Sequence, residues 1–435
     1  TKTLTSVLFL TGYVVVLLPV ILYSGSLAIS GMFGIPELLG VTHTQSIWIC
    51  VWGIGIIGSI YAVFGGLKAV AVSDTINAIG LLIGGVLIPI FGLMMIGDGS
   101  ILDGLSTLTT ENPDKFKSMG GPADPVPFYT IFTGMMLVQL FYWGTNQQII
   151  QRALGAKDLK EGQKGLLLAS FIKILGPLIV VLPGIIAFHL FQGNLESADS
   201  AYPMLVKKVL PGAWVGFFAA VLFGAILSSF NSVLNSSVTL FGIDVYKEHI
   251  NKNANEKTIV KYGKIFGVIL AIASMFIAPL IANAGSLFDY LQEINGIYSI
   301  PILTIIVVGY LTKRVPAIAA KIGLVSGCLL YMISQFFMKD YFINKALETA
   351  KATGVTDKAA LTIVEVHAYP HFLDVMAILF ILNIVIMLII GKIKPREEPF
   401  VQQYTKQVDI TPWKYVKHAS VVICLIVIGV YVYFA

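Results

Sequence analysis

Charge is scarce in this chain of 435 residues: Lys, Arg, Asp and Glu together make up 12%. With 56% hydrophobic residues and a mean hydropathy of +0.84, it has more apolar surface than a water-soluble fold of this length can hide. Cysteine is rarer still. Cys50, Cys328 and Cys424 all lie in apolar runs, which excludes a disulfide framework and leaves the thiols to pack as small hydrophobes. The formal charge of +5 is spread over many connections, so no basic patch for nucleic acid is present. No connection is long enough for a soluble domain, and the first apolar run is too long for a secretory signal and has no cleavage site. His, Asp and Glu are not grouped at metal or acid–base spacing. His367 and His371 read as solvated loop residues, and an enzyme or an organic cofactor is not expected.

What the chain does have is bilayer-length apolar runs. A crossing takes about 20 apolar residues, and eleven spans are expected, at 4–30, 46–65, 71–97, 128–150, 165–190, 214–245, 262–283, 286–312, 316–338, 371–392 and 415–434. Assigning the connections alternately to two sides puts 20 of the 29 Lys and Arg residues on one side and eight on the other, with Lys173 inside a span. By the positive-inside rule the first residue is cytoplasmic and the C-terminus outside, in a multi-pass protein of the cell (inner) membrane. Thr1-Lys2-Thr3 runs straight into a span, which reads as the opening of a fragment.

Polar residues kept inside such spans are costly and point to function. In the sixth span Ala225, Ser228 and Ser229 stand at i, i+3 and i+4 and share one face, which Ser232, Asn235, Ser236 and Thr239 continue. A lone Ser in a helix mostly bonds its own i−4 carbonyl. Seven small or polar residues on one face favour a cavity or an ion path, and ligands that are all oxygen suit a hard, weakly bound cation. Lys173 lies eight residues past Gly165, ~12 Å into its span and beyond easy snorkelling. Pro177 and Pro183 are expected to bend that span. In the fourth span Gln139, Tyr142 and Trp143, with Asn146 and Gln147, gather amides and aromatics suited to stacking on and bonding a polyol; an interfacial aromatic belt accounts for Trp143 equally well. The eighth span opens with Asp289, Gln292, Glu293 and Asn295 before Gly296 and Pro301, the sign of a discontinuous helix lining a site. Asp74 either pairs with Lys68 at the cytoplasmic face or flanks an ion exit path.

These segments resemble the sodium:solute symporter family, in its sodium/glucose cotransporter branch. The matching stretches are IYAVFGGLKAV (60–70), VSDTIN (72–77), FYWGTNQQIIQRALGAKD (141–158), KGLLLASFIKILGPLIVVLPG (164–184), ILSSFNSVLNSS (226–237), DVYKEHI (244–250) and YLQEINGIYSIP (290–301). The resemblance implies an all-α membrane fold of two inverted five-helix repeats plus peripheral helices, with broken helices at a central site. It implies sodium ligands at Ala225, Ser228 and Ser229, sugar contacts at Gln139, Lys173 and Gln292, an inner gate at Tyr142 with Trp143 beside it, and Asp74 near the sodium exit. It also implies that residues 1–435 form a single transporter domain from which three earlier spans of the family are missing, and with them part of each site. Sugar carriers tend to have Asn where Gln139 aligns, and the stretch VVVLLPV (14–20) lacks the amide they have there, which shifts the expected substrate from glucose or galactose to a relative. The function implied is sodium-coupled uptake of a sugar or similar polyhydroxylated solute by alternating access, with sodium and a small polar solute as partners in the bilayer. The rivals are a sodium-coupled carrier of a monocarboxylate, an amino acid or sialic acid, with Lys173 as counter-charge, and a membrane sensor or channel on the same scaffold.

Overall fold

The computed structural model describes residues 1–435 apart from 123, 193, 196, 284–286 and 402–407, and gives the backbone but not the side chains of 63–71, 283 and 289. Every regular element among the described residues is helical. In chain order they are α1 (Lys2–Phe33), α2 (His43–Ile96), α3 (Ile101–Glu111), α4 (Gly134–Gly144), α5 (Gln147–Leu154), α6 (Leu159–Lys173), α7 (Leu182–Phe191), α8 (Ala201–Val209), α9 (Gly212–Ile250), α10 (Glu256–Ile277), α11 (Leu287–Leu311), α12 (Ala317–Ile333), α13 (Lys339–Ala352), α14 (Lys358–Ala368), α15 (Phe372–Ile393) and α16 (Val416–Tyr433). Among the described residues, nine helices are long and apolar enough to cross a membrane, or up to ten if α6 and α7 make one bent span. Of the eleven spans expected, the one at 128–150 is interrupted rather than continuous. There α4 stops at Gly144, and Asn146 turns its side chain to accept from the Gln148 N–H, capping α5 as a new helix.

The chain divides into two compact units. The first comprises Thr1–Phe9, Ser118–Gly162 and Gln292–Pro412. Here Phe9, Phe141 and Tyr298 form an aromatic trio with centroids 5.8–6.4 Å apart, joining the start of α1 to α4 and α11. Small residues let α12 and α15 approach: a Cβ on Gly323 would stand 3.0 Å from Met387, and Gly327 faces Asn383 and Pro301. Glu293, at the second turn of α11, is held from two sides. Lys339 Nζ lies 2.8 Å from its carboxylate, and the Tyr331 hydroxyl donates to its carbonyl at 2.8 Å. The pair is partly shielded, with side chains 35% and 25% exposed. We expect Lys339→Ala to destabilise the protein by about 1 kcal/mol, read as a lower melting temperature that the double charge reversal of Lys339 and Glu293 restores. The 339–370 connection, expected as a loop, contains α13 and α14. His367 bonds the Ile363 carbonyl within α14 and His371 accepts from the Leu373 N–H to cap α15, so neither is a free loop histidine.

The second unit comprises Leu10–Lys117, Gln163–Leu291 and Trp413–Ala435. Its core packs Ile88 and Leu93 of α2, Leu108 of α3, Ile186 of α7, Leu205 of α8 and Phe218 of α9. The helical assignment of α2 covers 54 residues, started by a capping box between Thr42 and Gln45. A Cβ on Gly58 would meet Phe230 at 2.7 Å, and one on Gly80 would meet Val221 at 2.7 Å. Twenty-two residues of straight helix rise about 33 Å, whereas the partners on α9 are nine residues, about 14 Å, apart. Both described halves, His43–Ala62 and Val72–Ile96, therefore lie along the same stretch of α9, as the two spans expected at 46–65 and 71–97. Gly84 faces Phe218 so closely that a side chain there has no room. Gly84→Val is expected to cost about 2 kcal/mol or more of overpacking strain and to reduce the yield of folded protein in membranes, while Gly429→Val on α16, with open space around it, should not. Cys50 and Cys328 are buried as expected; Cys424 is exposed, on a helix with no buried residue.

Candidate functional site

The polar residues singled out above fall into two groups, one in each unit. In the first unit, α4 is a short apolar helix whose last turns carry Gln139, Tyr142 and Trp143 just ahead of the break at Thr145 and Asn146. Gln139 Nε2 is 3.6 Å from the Met135 sulfur, one turn back, and its Oε1 accepts from Trp143 Nε1 at 2.9 Å, one turn on. Gln292, buried on α11, directs its Nε2 to the same sulfur at 4.0 Å. Two amides from different helices thus converge on Met135. A thioether is a weak acceptor, so both NH2 groups keep most of their donor capacity. Tyr142 stands edge-on to Trp143 with centroids 5.3 Å apart. Met135 is the residue that reading the sequence missed; a Met in an apolar helix gives no polar signal, and only the fold sets it between two glutamines.

In the second unit, α9 carries Ala225, Ser228 and Ser229 on one face, as their spacing dictates. The Ser228 hydroxyl donates to the Asp74 carboxylate, on the second half of α2. This joins the residue expected near an ion exit to one expected to ligate the ion. Lys68, the alternative partner for Asp74, has a side chain outside the described residues, as does Asp289. Ser229 is exposed, and its hydroxyl has no hydrogen-bond partner among the described residues. Farther along the face, Ser232, Ser236 and Thr239 donate to the carbonyls of Ser228, Ser232 and Asn235 at 2.7, 2.9 and 2.9 Å, bonding their own helix, while Asn235 and Thr239 also line a groove against α10. Hydroxyl, carbonyl and one carboxylate make an oxygen-only set that fits an alkali cation as cargo. Among the described residues no cluster of His, Cys, Asp and Glu has the form of a transition-metal site.

Lys173 ends α6. Beyond it the chain passes through Ile174–Gly176 into a π-helical turn at Pro177–Val181, and the axis bends by 43° between α6 and the segment leading into α7. The bend follows from the prolines, which cannot donate to the helical ladder. Lys173 belongs to the second unit, whereas Gln139 and Gln292 belong to the first.

The chain is similar to known proteins over most of its length. Residues 6–327 match the sodium:solute symporter family. The chain is 45% identical over 432 residues to the uncharacterized symporter YidK of Escherichia coli (strain K12), covering 99% of this chain and 71% of that protein. It is 33% identical over 378 residues to a sodium/glucose cotransporter of Vibrio parahaemolyticus, covering 81% and 67%. It is 28% identical to the human sodium/myo-inositol cotransporter 2, of which it spans about half, 52%. In fold it is similar to a Na+-coupled sialic acid symporter in a substrate-bound outward-open state, with a TM-score of 0.63 at 16% identity over 91% of this chain and 75% of that one. The all-helical fold and these matches agree, and the chain belongs to the sodium:solute symporter family, whose members are carriers rather than enzymes.

Proposed function

We propose that this chain moves a sugar or similar polyhydroxylated solute inward together with sodium. The observation that supports it most is the pair of glutamine amides, Gln139 and Gln292, held by one weak acceptor beside Trp143. Amide donors with little competing for them, next to an indole face, are the groups that ring hydroxyls and a sugar's apolar face use. The relatives named for glucose and myo-inositol transport favour the same substrate class. In this reading Lys173 adds a third donor, and Ala225 through its carbonyl, with Ser228 and Ser229, holds the sodium. Asp74 receives the ion on its way out. The driving force is adequate, since each charge moving inward contributes about 2.3 kcal/mol per 100 mV. The topology we propose places the first residue in the cytoplasm and the C-terminus outside, and treats residues 1–435 as part of one transporter domain.

Three results test this reading. Ser229→Ala should raise the sodium concentration for half-maximal uptake by about fivefold, the cost of one ion–hydroxyl contact; unchanged sodium activation in a normally expressed variant would remove Ser229 from the site. Tyr142→Ala should lose accumulative uptake far more than solute binding, while Tyr142→Phe keeps most of both, because the ring closes the path below the solute and must swing aside. Equal loss of binding and uptake in Tyr142→Ala would make the residue part of the binding surface. If carboxylates alone compete for uptake, Lys173 is a counter-ion and the sugar reading is wrong.

A further inference from the structure

The second unit holds a cavity to which the proposed solute and sodium contacts assign no role, although Asn235 and Thr239 of the polar face line it. It is a groove of about 360 Å3 between the first half of α2, the C-terminal part of α9 and α10. Gly263 and Gly267 bring α10 against Val238 of α9, so closely that a Cβ on either would stand 2.9 Å from that side chain. Leu234, Val260 and Val268 give the groove apolar walls, and Ser59 and Asn235 bring polar atoms. Ser59 donates to the Gly55 carbonyl at 2.6 Å, which leaves its oxygen lone pairs as acceptors. The Asn235 amide has no hydrogen-bond partner among the described residues.

A second, open basin of about 520 Å3 lies over the first turns of α10 and shares Val260 and Lys264 with the groove. Lys257, Lys261 and Lys264 stand at i, i+4 and i+7, on one exposed face, and Glu256 lines the same basin. Among the residues that line it, three carry positive charge and one negative. Beyond it α10 becomes apolar, in a span that runs from Glu256 to Ala282. The charged end of such a span sits at the level of the lipid headgroups.

A positive basin at headgroup level that opens into an apolar groove with a few polar atoms matches one kind of molecule at both ends. We infer that the groove is a binding site for an anionic phospholipid, its phosphate on Lys257, Lys261 and Lys264 and the start of an acyl chain along Leu234, Val260 and Val268. A free phosphate satisfies the lysines and leaves the apolar walls uncovered. A neutral lipid fills the groove and brings no net negative charge to the lysines. Juxtamembrane lysines each favour anionic lipid.

The test is native mass spectrometry of the full chain released from neutral detergent, titrated with phosphatidylglycerol and, separately, with phosphatidylcholine. The expected result is one tightly held phosphatidylglycerol per chain. Binding should weaken at least about tenfold in K257Q/K261Q/K264Q and be kept in K257R/K261R/K264R. Val260→Trp, which fills the mouth of the groove without changing charge, should weaken it as well. Equal affinity for phosphatidylcholine, an undiminished phosphatidylglycerol adduct in the glutamine variant, or displacement of the lipid by millimolar inorganic phosphate would each overturn the assignment.

Discussion

Replacing Asp74 with Ala is expected to leave a protein that folds and inserts but needs on the order of 100-fold more sodium for half-maximal uptake. Asp74 is half-buried and accepts from Ser228, one of the residues expected to ligate the ion. A hydrogen bond to a charged group contributes about 1.5–3 kcal/mol, and a full negative charge facing a cation adds attraction that is little screened away from bulk water. Asp74→Asn keeps an acceptor for the Ser228 hydroxyl and loses the charge. It therefore separates the two effects: if orientation of Ser228 is what matters, Asn rescues most of the sodium affinity, and if charge is what matters it rescues little. Uptake measured against sodium concentration in reconstituted vesicles checks both. A sodium dependence identical to the parent's in Asp74→Ala would detach this carboxylate from the ion path.

The other large effect is expected at the glutamine pair. Gln139→Ala with Gln292→Ala should weaken solute binding about 100-fold, since each amide forms bonds of about 1 kcal/mol and removing both leaves substrate hydroxyls unpaired in a partly dry site. The sodium requirement should change much less. Met135→Leu is the informative companion. It removes the sulfur that holds the two amides but not the amides themselves, so it should shift affinity only severalfold. Competition with deoxy analogues separates the roles further: the parent should discriminate strongly against them, and the double variant should not. If the double variant binds as the parent does, the amides are structural and the solute lies elsewhere.

Much of this was legible in the residues, and the misses have physical causes. Helical spacing alone put Ala225, Ser228 and Ser229 on one face, and the fold keeps them there. Beyond them Asn235 and Thr239 do border a cavity, while the hydroxyls of Ser232, Ser236 and Thr239 take the carbonyl four residues back, which in an apolar helix is always within reach. Pro177 and Pro183 foretold the bend after Lys173, since a missing N–H is a local property. The break at Gly144 was not foreseen as an end of the span, although Asn146 is a good helix cap; hydropathy averages over such a position, while capping acts at a single residue. The convergence of Gln139 and Gln292 on Met135 joins residues 157 positions apart, and no local pattern encodes a contact at that separation. Nor does any pattern reveal that Asp74 meets Ser228, 154 residues away, although each was marked as costly inside a membrane.

The most direct test of the central claim is uptake of a radiolabelled hexose by vesicles containing the full purified chain, with and without an inward sodium gradient. Coupled transport of a polyhydroxylated solute predicts accumulation above equilibrium with sodium outside, collapse of that accumulation when sodium is equal on both sides, and competition by hexoses or inositol but not by hydrophobic amino acids. Accumulation indifferent to the sodium gradient, or competition confined to carboxylates, would contradict it.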